Sequence, residues 1–113
     1  MKPFPAKFYR TPSGREPVRE WLKALPREDC QIIGEDLMRV EFRWPNVGLP
    51  HVRSLGRDLW EVRSSLSNGT IARVIFCPYE NQMLLLHGFI KKTQKTPARE
   101  IELALKRLNE SQQ

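Results

Sequence analysis

Cysteine is too scarce in this chain to build a scaffold. Cys30 and Cys77 are the only two, they stand far apart, and neither belongs to a C-x-x-C pair. A disulfide framework or zinc site therefore has no support, and both are expected to be buried, reduced thiols. Long apolar runs are missing as well. The longest, around Met83–Ile90, is far too short to span a bilayer, and Met1–Arg10 lacks the apolar core of a secretory signal. The expected compartment is the cytoplasm, with no membrane partner. Repeats, linkers and low-complexity tracts are also absent, and only Glu110–Gln113 looks loose. A length of 113 residues suits one domain, 1–113, around one core of modest extent.

Positive charge is what the chain has in excess, with a formal net of +6. Such a balance favours an acidic partner, nucleic acid above all, although it also simply confers solubility. Its placement is uneven. Between Glu16 and Glu41 the acids outnumber Arg19, Lys23, Arg27 and Arg39. The excess lies at Lys2, Lys7, Arg10 and Arg15, and later at Arg43, Arg53, Arg57, Arg63, Arg73 and the Lys91–Lys95 cluster. A charge run is usually a solvated face, but bases from strands lying side by side can form one basic surface.

Phe4, Ala6 and Phe8 alternate with Pro5, Lys7 and Tyr9, the period of a half-buried strand. Ser13-Gly14-Arg15-Glu16 has the form of a capping box, and Pro17, Val18, Trp21, Leu22 and Leu25 predict a short helix. Pro26 ends it and opens a second helix with the apolar stripe Cys30, Ile33, Leu37 and Val40, which stops near Arg43 because Trp44 precedes Pro45. Gly34 inside that helix costs about 1 kcal/mol relative to Ala, so a close contact is expected there. Leu59–Leu66 and Thr70–Phe76 flank Asn68-Gly69, a primed-turn signal, and Glu80-Asn81 turns the chain into Met83–Ile90. His51–Leu55 adds a short strand. Thr96 caps a final helix with Pro97 first and Ala98, Ile101, Leu105 and Leu108 on its apolar side.

Alternation puts Trp60, Val62, Val74, Phe76, Leu84 and Leu86 on the face beneath the two N-terminal helices. The other parity mixes Glu61, Arg63, Arg73 and His87 with Ile71, Ile75, Leu85 and Phe89. One end of that face is expected under the last helix, and the rest is expected to form an open basic cleft. At its edge the strand Leu84–Ile90 runs directly into Lys91-Lys92-Thr93-Gln94-Lys95-Thr96-Pro97, cations on a rigid mount that suit a phosphate.

Leu59-Trp60-Glu61-Val62-Arg63, Ala72-Arg73-Val74-Ile75-Phe76, and Leu86 through Pro97 with Glu100, Ile101, Ala104 and Arg107 resemble the RelE/ParE superfamily of toxins. The likeness is closer to its HigB-type, phage-derived branch and covers nearly the whole chain, including Gly14–Leu25. Its most specific part is the segment from Phe89-x-Lys91-Lys92 to Thr96-Pro97. The resemblance implies an α+β fold: two N-terminal helices on a twisted, mainly antiparallel sheet, with a short C-terminal helix. It implies a type II toxin that cuts mRNA, generally in the ribosomal A site, and thereby arrests translation. It also implies a helix-turn-helix, HigA-like antitoxin as partner, through which alone operator DNA is reached.

Metal-free RNA cleavage by 2′-hydroxyl attack needs fixed cations where charge accumulates on the phosphate oxygens. By the resemblance, Arg73 is the first choice, Arg63 a second clamp, and Lys91 and Lys92 the basic strand end. No metal or cofactor is expected. Lys95, Arg57, Arg53 and Phe89 are candidates for binding RNA or the ribosome, Phe89 by stacking on a base. His87 could move a proton near neutrality, with His51 a further candidate. Bland readings stand beside each: Arg63 as a structural partner of Glu61 or of an acid on the second helix, Arg73 and the lysines as solvated residues, His87 and Phe89 as core. Some relatives place a tyrosine in or near the last helix, yet Pro97–Gln113 holds neither Tyr nor His, which leaves the general base open. Alternatives are a toxin of the same fold that inhibits another target such as gyrase, and a basic nucleic-acid-binding module without chemistry. Arg73→Ala, as a partly exposed strand residue, is expected to abolish growth inhibition and leave the fold intact.

Overall fold

The computed structural model describes residues 2–112. Five strands form one sheet in the order β1-β5-β4-β3-β2. They are β1 Ala6–Phe8, β2 Val52–Gly56, β3 Leu59–Ser65, β4 Ile71–Tyr79 and β5 Gln82–Lys91. β2 through β5 are antiparallel neighbours, and β1 runs parallel to β5 at the far edge. Helices α1 (Pro17–Ala24) and α2 (Arg27–Arg43) cover one face, and α3 (Ala98–Ser111) covers part of the other. The fold is α+β, as the sequence predicts.

Two apolar layers follow. Under α1 and α2 lie Phe4, Val18, Ile33, Leu37, Val40, Val62, Val74, Phe76, Met83 and Leu85. Under α3 lie Tyr9, Leu59, Ile75, Cys77, Leu84, Leu86, Phe89, Ala104 and Leu108. Leu84 and Leu86 thus sit on the face opposite to the one that alternation assigns, and Leu85 changes places with them. The reason is a bulge: Ile75 pairs with His87 but Phe76 pairs with Leu85, so Leu86 is an extra residue and parity reverses across it. Cys77 is buried and Cys30 half-buried, and both are free thiols.

The turns differ from the sequence reading in kind. Leu66 N–H bonds Thr70 O across the loop Ser67-Asn68-Gly69, in which Gly69 has φ of 81° and Asn68 Oδ1 accepts from Thr70 N–H. That is a three-residue connection with glycine in the left-handed position, in place of a primed Asn-Gly turn. The two-residue turns with both φ positive are Arg57-Asp58 and Glu80-Asn81. Nor does Ser13 cap α1: the N-cap is Glu16, and Ser13 bonds Thr11 instead. Thr96 does not cap α3, whose N-cap is Pro97; its hydroxyl goes to Glu61. Ala98 is exposed, and Ala104 takes its place in the buried stripe.

Gly34 is exposed and a Cβ there would meet nothing, so no tight contact accounts for it. The close approach is at Gly88, where a Cβ would stand 2.4 Å from the Trp21 ring. This pins α1 onto β5. Among the described residues no helix is long and apolar enough to cross a membrane.

Candidate phosphate site

Register brings the bases of the α3-side face into rows across the sheet. Arg63 on β3 stands directly opposite Arg73 on β4, which stands opposite Phe89 on β5. One row along, Arg53 on β2 opposes Glu61, followed by Ile75 and His87. Directly opposed like charges weaken a sheet. Here the pair is set into the protein, with one fully buried carboxylate, Glu61, beside it.

Arg73 is 0 % exposed, so the expectation of a partly solvated strand arginine is wrong. It is buried because the segment after β5 folds back across it. Arg73 Nη2 donates to the Thr93 carbonyl, and its Nε and Nη1 find no protein acceptor among the described residues. Leaving a buried donor unmatched costs about 1–3 kcal/mol. Its guanidinium carbon also lies 5.8 Å from the Phe89 ring centroid. Burial, and next the charge of Arg63, pull the Arg73 guanidinium down from its ordinary range; Glu61 opposes this and Arg53 adds to it.

Arg63 is less enclosed. Its Nη1 donates to Glu61 Oε1 at 3.1 Å and to Gln94 O at 3.2 Å, and its Nη2 donates to Gln94 Oε1 at 2.8 Å. The partnership with Glu61 is therefore real, and it leaves Arg63 aimed at the strand-end segment. Thr96 closes the circuit, its hydroxyl donating to Glu61 Oε2 at 2.5 Å. Lys92 and Lys95 ride on this strap with exposed side chains, while Lys91 is half-buried at the end of β5 opposite Ile71.

Beside Arg63 opens a cleft of about 450 Å³, lined by Ile32 and Asp36 of α2, Pro50, His51, Ser65, Ile71 and Gln94. Arg63 N–H bonds the His51 carbonyl at 2.7 Å, which sets His51 across from Arg63. Arg39 donates to Asp36 at 2.7 Å and lies 3.5 Å from His51 Nδ1. Asp36, Arg39, Ser65 and Gln94 escaped the sequence reading. On α2, Asp36 and Arg39 look like ordinary solvated charges until the loop before β2 wraps against that helix.

Three candidates are engaged within the fold. His87 is enclosed under α3, with Nε2 2.9 Å from Glu100 Oε1 and Nδ1 3.4 Å from Arg107 Nη1. Burial lowers its pKa from 6.5 despite Glu100, so it is a neutral tie between β5 and α3 at neutral pH. Phe89 is buried and stacks on His87 with centroids 5.5 Å apart, so it has no face free for a base. Arg57 lies in the β2–β3 turn, at the opposite end of β3 from Arg63, and reaches Glu102 of α3 at 3.7 Å. Hairpin geometry, which the sequence order of bases does not reveal, carries it away from the cluster. Arg53 is exposed on the edge strand of the same face as Arg63.

Among the described residues no group of three His, Cys, Asp or Glu side chains could hold a metal ion. What the arrangement can do is present guanidinium donors and nearby ammonium groups to an anion held against a protein wall. In comparison with known proteins, the family described as "Phage derived protein Gp49-like (DUF891)" matches residues 20–109. No curated protein matches the chain.

Proposed function

The chain belongs to the phage-derived Gp49-like family, a RelE/toxin-like family, and we propose that it is a HigB-like toxin that cuts mRNA on the ribosome. In this reading the 2′-oxygen bonds to the adjacent phosphorus as the P–O5′ bond breaks, leaving a 2′,3′-cyclic phosphate and a 5′-hydroxyl. Negative charge grows on the nonbridging oxygens, and Arg63 and Arg73 hold it better in the transition state than in the substrate. Lys91, Lys92, Lys95 and Arg53 neutralise flanking phosphates. His51, at the mouth of the cleft, is the imidazole with room to move a proton, whereas His87 is committed to α3. The partner is a helix-turn-helix antitoxin that contacts operator DNA, and both act in the cytoplasm.

One observation carries this reading: a directly opposed arginine pair, one member wholly buried with unmatched donors. That arrangement weakens a fold and suits an anion. The exposure of Arg53, Lys92 and Lys95 supports a second reading, in which these cations bind gyrase or a nucleic acid without chemistry. RNA-end mapping after brief induction, with and without a translation block, separates them. Discrete new mRNA ends that disappear under the block are expected; growth arrest with intact mRNA contradicts the nuclease reading.

A further inference from the structure

We propose that the strap Lys92–Thr96 is a lid over a latent phosphate site, and that a phosphodiester or polyphosphate anion enters by replacing the strap's oxygens on Arg63 and Arg73. The proposal rests on reading these two arginines as phosphate binders. Every polar tie of the strap to the sheet goes to that site. Thr93 O accepts from Arg73, Gln94 accepts twice from Arg63, and Thr96 donates to Glu61, the carboxylate that also holds Arg63. Those carbonyl and amide oxygens occupy positions that phosphate oxygens would take, with neutral acceptors standing where a charged one binds more strongly.

Arg73 requires the lid to move. It is 0 % exposed, yet its Nε and Nη1 have no protein acceptor among the described residues. An anion matched to those donors cannot reach them past a closed strap. Opening is local, since Lys92, Thr93, Gln94 and Lys95 are exposed and only Thr96 is buried. Lys92 and Lys95 travel with the lid, so a strap that lifts still holds two ammonium groups near the incoming anion. Because the closed state lacks a competent site, the observed affinity equals the intrinsic one scaled by the open fraction. Loosening the latch therefore tightens binding.

Titration of the whole chain with inorganic pyrophosphate, followed by the carbonyl-carbon resonances of Thr93 and Gln94 and by the arginine Nε–H resonances, tests this. Saturating pyrophosphate is expected to shift the Thr93 and Gln94 carbonyl carbons, as their oxygens leave the arginines, and to shift the Arg73 Nε–H signal. Gln94→Ala, at an exposed site that leaves the core untouched, is expected to bind pyrophosphate about 3- to 10-fold more tightly, the scale of one lost latch. Weaker binding by Gln94→Ala, binding with the strap's carbonyl signals unchanged, or no binding at all would overturn the lid. RNA cleavage is scored separately. A protein that cuts mRNA while its strap ignores pyrophosphate loses the lid alone; one whose strap opens while mRNA stays intact loses the nuclease reading alone.

Discussion

Two donors of the Arg73 guanidinium lie buried without an acceptor, opposite a second arginine, and this sets the sign of the Arg73 variants. Replacing a buried, poorly matched charge by an apolar side chain of similar length is often neutral or stabilising. Arg73→Met is therefore expected to unfold in urea at equal stability or about 1–2 kcal/mol higher, while growth inhibition disappears. A destabilised variant would show that Arg73 is there to hold the strap. His87 gives the pH test. Its folded pKa lies below 6.5, so below that pH the unfolded chain binds a proton that the folded chain refuses. Its contribution is present above 6.5 and is lost as pH falls toward the folded value. Urea midpoints at pH 7.5 and 5.5 are expected to drop for the native chain and to drop less for His87→Gln. Identical pH slopes would remove His87 as the cause. At this scale strand parity placed Arg63 and Arg73 on one face of the sheet, but the register that sets them directly opposite comes from the three-residue loop Ser67-Asn68-Gly69, where a two-residue Asn-Gly turn would have set Arg63 against Val74. Exposure was misread, because the strap that covers Arg73 comes from twenty residues further along.

Elements were readable where periodicity is long, and misread where one residue resets it. The stripe Ile33, Leu37 and Val40 marks α2 without ambiguity. No local signal marks the bulge at Leu86, which is set by how β5 must meet both β4 and α3. Capping failed for a similar reason: Ser13 and Thr96 have the right side chains, but tertiary partners, Thr11 and Glu61, claim them. Glycine separates the two kinds of position. Gly34→Ala adds a methyl to open space on a helix and is expected to stabilise by about 0.5–1 kcal/mol. Gly88→Ala drives a methyl into the Trp21 ring and is expected to destabilise by about 1–3 kcal/mol. Thermal unfolding of both variants checks the pair, and equal shifts would mean that α1 does not sit on β5 as described.

In the whole molecule, the sheet acts as a rigid mount with a sided division of labour. The α1–α2 face carries a dry core, including Trp44 packed edge-on against Trp60 and Phe76. The opposite face is apolar only under α3, and beyond that helix it carries Arg53, Arg63, Arg73 and Lys91 around Glu61. The fold class was within reach of the sequence, since helix and strand periods do not overlap here. The cleft was not, because it forms where α2, the loop before β2, β3 and the strap converge. The central claim is that this convergence carries chemistry on RNA. The direct test is to give purified protein to ribosomes programmed with end-labelled mRNA and to analyse the termini of the products. Fragments ending in 2′,3′-cyclic phosphate are expected from the native chain and none from Arg73→Met. Intact mRNA with the native chain, or undiminished cutting by the folded variant, would contradict the account.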